Sequence, residues 1–410
     1  MKKRVLIFCL FYYPLFTSGA EAAVKEITDR LDPEEFEFHM VTLHADSSIA
    51  PTEQVGNILV HRIGFSAHKP TFVGLDKWPL KINKPLFQFW AAVKAFQLHR
   101  RYRFDATWAI MAHSSGVPAA LFKLMYPRVP FVLTLQEGDP PEHIERVMKP
   151  LWPLFTRAFT TATVVQSISS FLSGWARARH FKGPIVLVPN GANPRDVQDM
   201  VPAEEQERAK LAIQKQPGEV VLMNTARVVH QKGHDTVIRA LPLLPTNVRY
   251  VMVGDGPDEP MLRELSKELG VESRVFFTGR VDRSRVTSYR KAADIFIGPS
   301  RSEGLGLSFL SAMASRLPLI TTQEGGLVDF IFDAKRNPDR PTTAWAVDKE
   351  SPEQIAEAVT EIINFPEKTA RVTENARQLI LQSYTWDTIA RQMRERVFLP
   401  LWNSIPTSRS

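Results

Sequence analysis

Four segments in the second half of this 410-residue chain place cations, glycines and oxygen-bearing side chains directly after apolar runs of strand length. The first is Asn224-Thr-Ala-Arg-Val-Val-His-Gln-Lys-Gly233. It puts Arg227 and Lys232 on one loop, where two cations can bracket a diphosphate or simply sit solvated. The second, Val253-Gly-Asp-Gly-Pro257, is a tight strand-to-helix turn of a kind common in α/β proteins. The third is Pro299-Ser-Arg-Ser-Glu-Gly-Leu-Gly-Leu-Ser-Phe-Leu-Ser-Ala-Met-Ala314, in which Glu303 to Leu307 leads into a helical pattern. Glycines there expose main-chain N–H groups at the positive end of a helix, which suits phosphate. Gly304, Leu305, Gly306 and Leu307 would supply those groups, and Glu303 can accept from sugar hydroxyls. The plain alternative is a capped helix that happens to contain glycines. The fourth, Thr321 to Asp329, is another strand exit with a glycine pair, where Asp329 caps or supports a turn. Asp255 and Asp258 do not form a metal motif, and no metal ligand set is assigned.

Loops of this kind need parallel strands behind them. Short apolar runs alternate with longer helical patterns along the whole chain, as in β-α units. The strand candidates of the first half are Arg4–Leu10, Glu37–Leu43, Ile58–Ile63, Ala106–Ile110, Phe131–Leu135, Ala162–Val165 and Ile185–Val188. Those of the second half are Val220–Asn224, Val248–Val253, Val275–Thr278, Ile295–Ile297, Leu319–Thr321 and Thr343–Ala346. Length favours two domains. The expected division is an N-terminal domain over 1–197, a polar linker over 198–218, a C-terminal domain over 219–383, and a final segment over 384–410. In open sheets of this kind ligands bind beyond the carboxyl ends of the strands, and two such sheets on one linker would enclose a cleft. Ser351, Pro352 and Gln354 predict a capped helix with a capping box. Trp386, Ile389, Met393 and Val397 mark one face of an amphipathic helix over Tyr384–Phe398.

Composition narrows the class. Cys9 is the only cysteine, which excludes an intramolecular disulfide and cysteine-pair zinc sites and fits the cytoplasm. Met1 to Arg4 followed by VLIFCLFYYPLF has the basic-then-apolar order of a cleaved signal. Pro14 and the amphipathic stretch Glu21–Leu31 favour a buried first strand instead. The formal net charge of +7 points to anionic partners. Nucleic acid is the weakest of these, because no zinc-finger, RNA-recognition or long basic tail pattern is present. Lys77 to Trp90 interleaves cations with aromatics, and His99-Arg-Arg-Tyr-Arg103 follows. This stretch either lies on an anionic membrane at its inner face or packs as an ordinary surface helix.

Taken in order, ARVVHQKG, VGDGP, VFFTGRV, ADIFIGPSRSEGLGLSFLSAMA and EGGLVDFI resemble successive motifs of glycosyltransferase family 4. The first half matches more loosely, through Ser18-Gly19-Ala20-Glu21, VLTLQEGD and VLVPNGAN. The resemblance implies an α/β GT-B fold, two Rossmann-like doubly wound domains facing across a cleft, and retaining transfer from a nucleotide-sugar. It assigns the donor diphosphate to Arg227 and Lys232, the sugar to Glu303, and the phosphate amides to Gly304–Leu307. It places Val281 near the base and Gly19 near the donor. Three positions depart from the family pattern. Ser311 stands where a second glutamate near the ribose is usual, Ala226 where glycine is usual, and Gln136 with Glu137 where histidine is usual.

The expected activity is therefore hexosyl transfer in polysaccharide or glycolipid synthesis. The donor is a UDP- or GDP-sugar, the acceptor a glycan, a small molecule or a lipid-linked sugar, and no cofactor or obligatory metal is expected. His113, Gln136 and Glu137 are candidates for orienting sugar or acceptor, or for plain loop support. A nucleotide-sugar epimerase of the same architecture, or a binding relic weakened at Ser311 and Gln136, are the alternatives. A glycogen-phosphorylase-like enzyme would be much longer.

Overall fold

The alternating apolar runs become two largely parallel sheets in a computed structural model that describes residues 2–15, 18–71 and 73–403. The chain divides into two compact units, Met1–Asn190 with Trp386–Ser410, and Gly191–Thr385. Residues 404–410 of the expected final segment lie outside the described residues.

The first unit carries β1 (Lys3–Phe8), β2 (Phe36–Leu43), β3 (Thr52–Val55), β4 (Ile58–Ile63), β5 (Ala106–Ile110), β6 (Phe131–Leu135), β7 (Val164–Ser167) and β8 (Ile185–Leu187) in the order β3-β4-β2-β1-β5-β6-β7-β8. All neighbours are parallel except β3 against β4. The basic-then-apolar N-terminus is thus a central strand, whose Val5 to Phe8 are fully buried because both faces are covered. Helix Trp386–Gln392 and the helical turns to Asn403 belong to this unit. Trp386, Ile389, Met393, Val397 and Phe398 join Val5, Ile7, Phe36, Phe38 and Trp108 in one core. Each such buried side chain contributes about 1.5–3 kcal/mol of transfer free energy.

The second unit carries β9 (Val220–Thr225), β10 (Val248–Val253), β11 (Val275–Phe277), β12 (Ile295–Gly298), β13 (Leu319–Thr321) and β14 (Trp345–Ala346), all parallel, in the order β11-β10-β9-β12-β13-β14. The order reverses between β9 and β12, which is where a doubly wound sheet opens a crevice beyond its carboxyl ends.

Three expectations are corrected. The 198–218 stretch is not a free linker. Helix Ala203–Ala212 packs on helix Val286–Ala292 and buries Ala209, so the units divide instead at Asn190 and Gly191. Strand β3 was not expected, because its sequence, TEQV, is polar and half exposed and depends on the reversal at Gly56. The capping box at Ser351 does not form. Gln354 instead accepts from the Asp348 N–H and donates to the Asp348 carboxylate, both at 2.8 Å.

Candidate functional site

The loop leaving β9 runs through a short turn, His230–Lys232, to Gly233 and the helix His234–Ala240. Gly233 has φ 68°, and a Cβ there would sit 2.2 Å from the carbonyl oxygen of Pro299. Only glycine permits both the left-handed turn and that approach, which lays the loop after β9 against the loop after β12. The contact is secured by Gln231, whose carbonyl accepts from the Arg301 N–H at 2.7 Å and whose side chain donates to the Ser302 carbonyl at 2.8 Å. Arg301 in turn grips Asp235 with two bonds of 2.9 and 2.8 Å.

These ties put Lys232 beside Glu303. Lys232 Nζ lies 2.6 Å from Glu303 Oε1, and both side chains are largely buried. Ser300 Oγ donates to the same oxygen at 2.9 Å. A third loop closes on the pair from β13. Gly325, at φ 59°, passes with its Cα so close to the Glu303 carbonyl that a Cβ would meet it at 2.1 Å, and Gly326 N–H donates to that carbonyl at 2.9 Å.

Immediately after Glu303 the chain turns through Gly306, at φ 95°, into helix Leu307–Ala314, with no side chain capping that end. Among the described residues, the amides of Gly304 to Ser308 donate to no other group. Five consecutive unpaired donors leading into the positive end of a helix are suited to an anion. Lys232, paired with Glu303, lies at their edge. Arg227 is exposed on the same loop, its carbonyl held at 3.1 Å by His234 Nε2.

Two further predicted donor residues, Ser311 and Val281, also lie in the second unit. Ser311 Oγ accepts the Asn193 N–H at 3.1 Å, which engages it with the main chain at the head of the second unit. Val281 is half-buried after Gly279, whose carbonyl accepts from Gly254 N–H at 3.1 Å, so it belongs with the loop after β10. Gly19 opens a helix of the first unit, Gly19–Thr28. There Ser18 and Glu21 form a complete capping box, a device visible in the sequence but not used in reading it.

His234 bonds Tyr250 Oη at 2.6 Å and is buried, which pushes its pKa down from 6.5 to about 4. The unfolded chain therefore takes up a proton below pH 6.5 that the folded second unit refuses until about pH 4. Stability falls as the pH is lowered through that window, and the gap corresponds to about 3 kcal/mol. In urea unfolding, His234→Gln should lose this fall in stability across the window, so that its gap to wild type changes with pH; parallel curves for the two would contradict the assignment.

In the first unit, His113, Gln136 and Glu137 gather at the carboxyl ends of β5 and β6. His113 Nδ1 lies 3.6 Å from Glu137 Oε1, and Gln136 Oε1 accepts from Asn190 Nδ2 at 3.1 Å. Asn190 was missed by the sequence reading, although it lies within the VLVPNGAN segment.

The sequence model described as glycosyl transferases group 1 matches residues 204–379, and the one described as glycosyl transferase 4-like domain matches residues 18–191. Among curated proteins, a GDP-mannose-dependent alpha-(1-6)-phosphatidylinositol monomannoside mannosyltransferase of Mycobacterium tuberculosis is 28% identical over 243 residues, which is 56% of this chain. The match spans 60% of that relative's length. An alpha-monoglucosyldiacylglycerol synthase of Streptococcus pneumoniae is 36% identical over 129 residues, 31% of this chain and 29% of that protein. Among solved structures, the sucrose-phosphate synthase of Thermosynechococcus elongatus superposes with a TM-score of 0.76 at 19% identity, covering 96% of this chain and 98% of that one. Anabaena HepE, solved in complex with UDP, gives 0.72 at 17% identity, covering 96% and 99%. These two likenesses are likenesses of fold.

Proposed function

Since the chain belongs to the group 1, family-4-like glycosyltransferases of GT-B fold, we propose that it moves a hexosyl group from a UDP- or GDP-sugar to a glycan or lipid-linked acceptor, with retention of configuration and no obligatory metal. One observation carries the reading: the unpaired amides of Gly304 to Ser308 beside the Lys232–Glu303 pair. A departing nucleoside diphosphate needs its developing charge met where it forms, and preorganised amides with two cations, Arg227 and Lys232, do that in place of a metal ion. Glu303 is the acceptor for hydroxyls of the transferred sugar. In the proposed step the C1–oxygen bond to the phosphate breaks, and the acceptor oxygen bonds to C1 from the same face. The acceptor proton passes to the departing phosphate oxygen. His113, Gln136 and Glu137 orient sugar or acceptor.

Turnover of a panel of UDP- and GDP-sugars, with NMR of the newly formed linkage, tests the proposal. A retained anomer supports it, and an inverted product overturns the front-face scheme. Isomerised donor without transfer would indicate an epimerase, and binding without turnover a relic.

The place of action proposed is the cytoplasm, at the inner face of a membrane. Residues 77–136 contain nine Lys or Arg and a single acid, Asp105, a local net of +8 in a chain whose total is +7. The helices Asn83–Tyr102 and Val117–Met125 in this stretch pack together. Trp78, at 72% exposure, Phe89, Val93, Leu124 and Met125 stand out to solvent among the cations. Cations with exposed aromatic and aliphatic tips suit an anionic bilayer surface. No described helix is long and apolar enough to cross a membrane. The protein should sediment with phosphatidylglycerol vesicles at low salt and be released at high salt, and Trp78→Ala with Phe89→Ala should weaken that binding. No sedimentation at low salt would remove the membrane contact.

A further inference from the structure

At the carboxyl edge of the first unit's sheet, two neighbouring side chains each hold a buried polar atom without a partner. Glu137 stands two residues beyond β6, and its side chain has no exposed surface. Its Oε1 accepts the Ala112 N–H at 2.5 Å, while Oε2 has no hydrogen bond. His113 follows Ala112 in the turn that leaves β5, and its Nδ1 is buried without a partner, 3.6 Å from Glu137 Oε1. The rest of the ring is not sealed off, for the side chain is one-third exposed at 33%. The turn itself is firmly set. Met111 before it adopts φ 65°, a conformation a non-glycine residue seldom takes, and Gln88 Nε2 donates to the carbonyls of His113 and Ser114 at 3.2 and 3.3 Å.

A buried carboxylate short of donors is costly, and an unengaged imidazole nitrogen lies 3.6 Å from its other oxygen. An ionised carboxylate only accepts, so Nδ1 must carry the proton if the two are to satisfy each other. In the neutral ring Nε2 then holds the lone pair, and imidazole becomes an outward acceptor. Gln136 is less suited to this part, since one lone pair of its oxygen is already engaged by Asn190.

We propose that Glu137 is a positioning residue that holds His113 as the Nδ1–H tautomer, so that Nε2 accepts a hydrogen bond from a hydroxyl of the sugar or acceptor. The hydroxyl partner rests on the glycosyltransferase reading above; the tautomer does not.

Long-range ¹⁵N–¹H NMR of histidine side chains at alkaline pH tests it, with the His113 ring identified by its loss in His113→Asn. Wild type should show the Nδ1–H pattern, which is the less common one for free imidazole. Glu137→Gln, whose amide can donate to Nδ1, should shift the ring towards Nε2–H. A wild-type ring in the Nε2–H form, or a tautomer unchanged by Glu137→Gln, overturns the proposal. In kinetics, with whichever of UDP-glucose and GDP-mannose is turned over, His113→Ala and Glu137→Gln should each lower kcat/KM by about ten-fold. The double variant should lose no more than His113→Ala alone, and additive losses would contradict a shared action. If neither donor is turned over while the tautomer shifts as expected, the transfer reading fails and the pair stands.

Discussion

Replacing Arg227 with alanine is expected to lower kcat/KM for sugar transfer by about 10²–10³-fold while leaving the fold intact. The first half of that expectation comes from the chemistry of the leaving group. A positive charge or N–H donor aimed at a developing oxyanion contributes about 2.7–4 kcal/mol to the barrier, and Arg227 is one of two cations on the loop leaving β9. The second half comes from exposure. Arg227 is a surface residue, and substitutions at such positions usually change stability by no more than about 0.5 kcal/mol. Arg227→Lys should recover part of the loss, because the charge returns but the planar fork does not. Steady-state kinetics together with thermal melting decide the matter. Activity near wild type, or a loss explained by unfolding, would remove Arg227 from the diphosphate site.

Lys232→Ala should do more harm, and of two kinds. Lys232 Nζ is 2.6 Å from Glu303 Oε1 in a setting where both side chains are largely buried. Removing one member of a buried ion pair strands the other charge, at a cost of about 3–5 kcal/mol. The variant should thus lose activity by about 10²–10³-fold or more and also melt well below wild type. The double variant Lys232→Ala with Glu303→Ala separates the two effects. With no carboxylate left unpaired, it should regain most of the melting temperature and none of the activity. Stability lost equally in single and double variants would mean that the pair is not the cause. Recovery of activity in the double variant would show that neither group acts on the donor.

The donor loops were legible in the sequence because each is a contiguous stretch in which glycine stands where the backbone needs it. Gly233, Gly306 and Gly325 all adopt left-handed φ, and the segments quoted around them converge on Glu303. The strand pattern was legible for a similar reason, since buried parallel strands are continuous apolar runs; only the polar edge strand β3 escaped. What the sequence hid are ties between distant positions. Asp196, near the end of the expected first domain, is fully buried in the second unit, where Arg290 Nε donates to it at 3.1 Å and Ser315 Oγ at 2.7 Å. Nothing local marks a polar residue in a polar stretch as the centre of such a network, and the boundary was misplaced for that reason. The bond of Ser311 to Asn193, 118 positions away, is equally invisible in the sequence. The His113–Glu137 approach likewise needs the parallel pairing of β5 with β6.

A crystal structure of the protein with UDP or GDP addresses the main claim most directly. The diphosphate oxygens should lie about 2.7–3.1 Å from main-chain nitrogens between Gly304 and Ser308, with Arg227 and Lys232 turned towards them. A nucleotide bound on other residues, with those amides left facing solvent, would contradict the account.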